Sequence, residues 1–254
     1  LDTEGATRVL YRLPGPLAEC GAQLSRWENE LGVLNLELSQ WINQAAVTAA
    51  ESGERLPLEA QTRELDARRD FAQQIEQFWR SPPTYPRLEE LRATAAFSGD
   101  VPILSTGLER VTRLNLVGNA NITAALRFVE RLPNLAKLKM SGFELEPLAL
   151  GEAKLPRLTD LELKNCGVVM TPENQAALLS LTALDTLDLS NNPLGTFPDL
   201  NLLPELFHID LSNCGLTDVP EGLSSHPGLR IAGPLRQPHH AIAGGAVRPP
   251  RRAQ

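Results

Sequence analysis

Leu184-Asp185-Thr186-Leu187-Asp188-Leu189-Ser190-Asn191-Asn192 sets a pattern that governs the reading of the whole chain. An aliphatic is followed by two residues, a second aliphatic, one residue, a third aliphatic, two residues, and then Asn, Cys or Phe. The same order recurs in Val111-Thr-Arg-Leu114-Asn-Leu116-Val-Gly-Asn119 and Leu135-Ala-Lys-Leu138-Lys-Met140-Ser-Gly-Phe143. It recurs again in Leu158-Thr-Asp-Leu161-Glu-Leu163-Lys-Asn-Cys166 and Leu206-Phe-His-Ile209-Asp-Leu211-Ser-Asn-Cys214. The middle aliphatics Leu114, Leu138, Leu161, Leu187 and Ile209 fall 24, 23, 26 and 22 residues apart. Such spacing brings one short strand back per coil, so the chain is expected to stack strands side by side.

Between repeats the chain must return. Ile122 to Leu132 and Thr171 to Leu181 read as short helices, the second starting with Thr as N-cap and Pro at the first helical position. Phe197-Pro198-Asp199-Leu200 and Val219-Pro220-Glu221-Gly222 read as tighter returns. The expected fold is an α/β solenoid of leucine-rich repeats. Parallel short strands line its concave face, short helices or turns its convex face, and an N-terminal α-helical region caps it.

The helical region is read from a second periodicity. Leu17, Cys20, Leu24, Trp27, Leu31, Leu34, Leu38 and Trp41 advance in steps of three and four, which puts them on one helical stripe. A second amphipathic helix is predicted from Leu58 to Arg80, with Leu65, Phe71, Ala72, Ile75, Phe78 and Trp79 inward, stopped by Ser81-Pro82-Pro83. The stripe suits either an intermolecular coiled coil or a pair of helices covering the end of the solenoid. Two Trp in about three heptads favour the cap. The resulting division is an irregular lead-in over 1–16, a helical pre-repeat cap over 17–100, about five to six repeats over 101–234, and a disordered basic Pro/Arg-rich tail over 235–254.

The last repeat departs from the pattern. Counting on from Leu229 puts the ladder at Ala232 and Pro234, and Ala in place of Leu forfeits roughly 2–5 kcal/mol. A truncation or shifted reading frame is one explanation of this end; a basic tail for an acidic surface is another. The chain begins at Leu1 without a charged-then-apolar signal and is read as an internal fragment.

Composition narrows the function. A net charge of −7 argues against a nucleic-acid partner, and no apolar run is long enough for a membrane-spanning segment. The cysteines number 3, without a CxxC spacing, so neither a disulfide framework nor a metal site is expected. Cys166 and Cys214 occupy the place where Asn119 and Asn192 stand in other repeats, where a buried side chain bonds the turn. No nucleophile elbow, phosphate loop or HExxH motif is present, so neither catalytic residues nor a cofactor is expected.

Binding is expected on the concave face, because strand side chains alternate. The residues before the middle aliphatics are Arg113, Lys137, Asp160, Thr186 and His208. Those after them are Asn115, Lys139, Glu162, Asp188 and Asp210. The face therefore reads as basic in the first two repeats and acidic in the last three. This gradient is either a recognition feature for a protein partner or an ordinary solvated face. Five strands span only about 20 Å, enough for one helix or loop.

The order of Trp27 and Trp41, then Phe71-Ala-Gln-Gln-Ile-Glu-Gln-Phe-Trp79-Arg80, then Leu108-Glu-Arg-Val111 leading into Leu-Asp-Leu-Ser-Asn-Asn192-Pro-Leu-Gly resembles one bacterial family. That family comprises large Pseudomonas-like effector proteins with a dermonecrotic-toxin-like N-terminal domain, leucine-rich repeats and a C-terminal novel E3 ubiquitin ligase domain. The resemblance covers roughly residues 10–230. It implies a secreted protein reaching the host cytoplasm, in which the repeats choose the substrate. The ligase domain takes ubiquitin from a conjugating enzyme on the Cys of a Cys-x-Asp motif. Here the cysteines read Cys20-Gly-Ala, Cys166-Gly-Val and Cys214-Gly-Leu, so no catalytic residue carries over. The chain itself is expected to be non-catalytic, and the parent a Cys-dependent ubiquitin transferase. A stand-alone repeat scaffold and a non-functional gene remnant are the other readings.

Overall fold

In the computed structural model, seven parallel strands among the described residues stack in chain order into one sheet. The structure describes residues 17–45, 55–80, 90–92, 101–118, 127–143, 155–226 and 228–232. Helices α1 (Leu17–Asn43) and α2 (Leu58–Arg80) come first. Strands β1 (Glu90–Arg92), β2 (Arg113–Val117), β3 (Lys137–Ser141) and β4 (Asp160–Lys164) follow. After them come α3 (Pro172–Leu179), β5 (Thr186–Asp188), β6 (His208–Asp210) and β7 (Arg230–Ala232). The expected lead-in and tail, Asn119, and part of the predicted helix at Ile122 lie outside the described residues.

The register makes the repeat physical. Leu91, Leu114, Leu138, Leu161, Leu187, Ile209 and Ile231 form one continuous row across the sheet. The first six are buried, each worth roughly 1.5–3 kcal/mol of burial. Leu116, Met140, Leu163, Leu189 and Leu211 form a second buried row. Two residues after that row the backbone must turn sharply. Gly142, Asn165, Asn191 and Asn213 make the turn with φ of 77°, 51°, 61° and 57°. Only Gly fits at 142, since a Cβ there would sit 2.8 Å from the Gly118 carbonyl oxygen. The longest return holds α3, whose first turn is capped by the Thr171 hydroxyl accepting from the Asn174 N–H. A 3-10 turn at Leu200–Leu202, capped by Asp199, closes the shorter return.

Two strands lie beyond the five full repeats, one of them at the place of the damaged last repeat. β1 falls within the stretch assigned to the cap. Its sequence, Leu88-Glu-Glu-Leu91-Arg-Ala93, puts Ala at the third aliphatic place and so hides the pattern. β7 is registered one residue earlier than counting from Leu229 suggests, with Ile231 rather than Ala232 opposite Ile209. Ile231 remains 44% exposed, whereas Ile209 is buried between neighbours on both sides.

The helices cover the first coil. Leu31, Leu34, Leu38 and Trp41 of α1 are buried, with Phe71, Ala72, Ile75 and Phe78 of α2. Leu65 and Trp79 are half-buried; the side chains of Leu17, Cys20 and Leu24 lie outside the described residues. Trp41 meets Phe71 edge-on at 6.1 Å, and Phe71 meets Phe128 of the solenoid at 5.7 Å. Trp27 and Trp79 stack at 4.7 Å between the helices. The described part of the α1 stripe, Trp27 to Trp41, thus packs within the chain, as a cap requires. Glu64 and Arg68, both buried, pair at 2.8 Å, and Arg68 also donates to the Trp41 carbonyl at 2.6 Å.

Candidate protein-recognition face

The sheet register assembles the concave face as columns. One runs Glu90, Arg113, Lys137, Asp160, Thr186, His208, Arg230. The next runs Arg92, Asn115, Lys139, Glu162, Asp188, Asp210, Ala232. All of these positions alternate with the buried rows, and those whose exposure is described are half-buried or exposed. Seven strands span about 29 Å, against the about 20 Å expected from five.

Placement agrees with the alternation, but the electrostatics differ from a simple gradient. Lys137 Nζ lies 2.7 Å from Asp160 Oδ1, and Lys139 Nζ lies 2.6 Å from Glu162 Oε1. The basic and acidic halves therefore cancel where they meet, on β3 and β4. Lys164 Nζ sits 2.8 Å from Asp188 Oδ2 and carries the pairing on to β5. Residue-by-residue charge counting misses this, because pairing depends on which strands are neighbours.

Lys164, Ser190 and Ser212 form a third column that the first two readings of the alternation left out. Each directly follows the third aliphatic, and the same period-two rule finds it. Ser190 donates to Asp188 Oδ1 through its N–H at 3.0 Å and its hydroxyl at 2.7 Å. Ser212 repeats the arrangement on Asp210 Oδ1 at 2.9 and 2.5 Å. The hydrogen bond to Asp188 lifts the Lys164 ammonium above its ordinary value, against the opposing effect of burial. Burial alone would raise the Asp188 carboxyl; bonds from Lys164 and Ser190, with the Lys164 charge, outweigh it and hold the group below the ordinary range. Beyond β5, His208 meets Phe207 edge-on at 4.7 Å, and the Arg230 guanidinium lies over the Phe207 ring at 5.0 Å.

A hydrogen-bonded ladder sets the wall behind this face. Asn192 accepts from the Cys166 and Val168 N–H groups at 2.8 and 3.2 Å and donates to the Leu163 and Leu189 carbonyls at 2.6 and 2.7 Å. Cys166 and Cys214 take the same place in their own repeats. Cys214 Sγ donates to the Leu189 carbonyl at 3.0 Å, and Cys166 Sγ to the Lys164 carbonyl at 3.3 Å. Burial pushes both thiols above their ordinary pKa. A buried, protonated thiol is a poor nucleophile. Among the described residues no group of His, Cys, Asp and Glu is arranged to hold a metal ion, and no helix is long and apolar enough to cross a membrane.

Similarity to known proteins agrees with this geometry. Residues 183–203 match the Leucine Rich Repeat family. Over 111 residues, or 42% of this chain, the sequence is 34% identical to the receptor-like protein EIX1 of Solanum lycopersicum, and spans 11% of that protein's length. The strand stack, with this match and this similarity, is the α/β solenoid fold of leucine-rich repeats. Its architecture is one suited to protein binding.

Proposed function

We propose that this chain is the substrate-recognition segment of a bacterial effector-type E3 ubiquitin ligase that acts in the host cytoplasm. The observation that carries the binding half of this reading is the concave wall, whose side chains are held in fixed columns by register and cross-strand ion pairs. Pre-ordered side chains lose little entropy when a guest segment docks. The ligase half rests on the resemblance of the pre-repeat helices and their junction with the repeats to the effector family. In this reading the repeats hold the substrate, and a separate domain bearing the Cys-x-Asp motif meets the ubiquitin-conjugating enzyme.

The test is ubiquitin transfer by the full-length product of the gene, with activating and conjugating enzymes supplied. The expected result is a thioester on a cysteine outside this segment. Charge reversal on the concave face, as in Glu162→Lys, should abolish modification of the bound substrate while self-modification persists. A gene product that never accepts ubiquitin would overturn the ligase reading and leave a stand-alone recognition module.

A further inference from the structure

The described concave carboxylates of β1, β4 and β5 are each matched by a cation of this chain, and the pattern stops at β6. Glu90 pairs with Arg92, Asp160 with Lys137, Glu162 with Lys139 and Asp188 with Lys164. Asp210 has no cation within ion-pair distance among the described residues. The reason lies in the repeat itself. The place that Lys164 holds beside Asp188 is held, one coil later, by Ser190, whose hydroxyl is committed to Asp188. On the other side Arg230 lies over the Phe207 ring. Asp210 Oδ1 takes both Ser212 donors, as Asp188 Oδ1 takes both Ser190 donors, and Asp188 Oδ2 takes the lysine.

We propose that Asp210 is the anchor for a lysine of the bound protein, its ammonium sitting on Oδ2 as Lys164 sits on Asp188. The occupant is a cationic peptide segment crossing β5 and β6. Lysine is favoured over arginine because only one carboxylate oxygen is open, and a guanidinium fork gains its advantage by engaging two. This inference rests on the concave wall being the recognition surface, so the test separates the two.

The probes are fluorescein-labelled hexalysine and hexaarginine, titrated by fluorescence anisotropy against the intact chain. Asp210→Asn, which is isosteric, should weaken hexalysine about fivefold, and hexaarginine by less. Asp185→Asn, an exposed carboxylate on the rim of the same strand pair, should leave both unchanged and so controls for the overall negative charge. A photo-crosslinking amino acid at Thr186 should form an adduct with hexalysine. Equal losses in Asp210→Asn and Asp185→Asn, or no hexalysine binding, would overturn the anchor while the concave wall remains a candidate surface. Binding without any adduct at Thr186 would overturn both.

Discussion

The side-chain amide of Gln74 on α2 bonds both backbone groups of Arg92 on β1. Its Nε2 donates to the Arg92 carbonyl at 3.0 Å, and its Oε1 accepts from the Arg92 N–H at 3.1 Å. A sheet edge exposes a row of such groups and invites pairing with other chains. Here a helix supplies one amide that imitates a neighbouring strand. Glu37 of α1 does similar work on the loop after β1, accepting from the Ser105 N–H at 3.1 Å.

Gln74→Ala should cost about 1 kcal/mol or slightly more, since two partly solvated hydrogen bonds are lost. The sharper readout is amide exchange: the Arg92 N–H should lose protection while the β4 amides keep theirs. Unaltered exchange at Arg92 would show that the edge is closed by something else.

The pair of Glu64 and Arg68 joins α2 to the Trp41 carbonyl of α1. Arg68→Met removes the ion partner of a buried carboxylate and should cost about 3–5 kcal/mol. The double change Glu64→Leu with Arg68→Met removes both charges and should recover most of that loss. Urea unfolding of the wild type and the two variants measures the difference directly.

Asn192 holds five backbone groups of two adjacent coils at once. Asn192→Ala leaves at least two of them buried without a partner, at about 1–3 kcal/mol each. Asn192→Cys should be milder, because a thiol keeps a donor for the carbonyls, as Cys214 does at the equivalent place. Thermal unfolding should rank wild type above Asn192→Cys, and that above Asn192→Ala.

The Lys164–Asp188 pair should give a stability plateau with two edges. The folded carboxyl lies below its ordinary value, so its contribution stands above the unfolded pKa and is lost as pH falls through the folded one. The folded ammonium lies above its ordinary value, so its contribution is complete below the unfolded pKa and is lost as pH rises through the folded one. The plateau thus covers about pH 5 to 9, and half-exposure of the lysine limits it to about 1 kcal/mol. In Asp188→Asn both edges should flatten; denaturant midpoints measured across this range would show it.

The parts legible in the sequence are those written as local periods. Five strands, both cap helices and the α3 start at Thr171 follow from spacing and capping residues. β1 escaped because it keeps a single large aliphatic, Leu91; β7, expected as a damaged last repeat, lies one residue earlier than counted because pairing of Ile231 with Ile209, not local pattern, sets its register. Leu91 could have been found by its 23-residue distance from Leu114. On the concave face, membership of the columns follows from alternation, yet the pairing of Lys137, Lys139 and Lys164 does not. Which carboxylate each lysine reaches depends on strands distant in sequence, and that cancellation leaves Asp210 as the carboxylate of interest.

Because each strand touches only the one before and the one after, the molecule resembles a coiled spring welded at one end. Its aromatic cluster and buried ion pair hold the helical end, whereas Ile231 at the other is half in water. Tension applied to the carboxyl terminus should peel off one loop at a time, in a series of small force peaks, before the welded end gives way last.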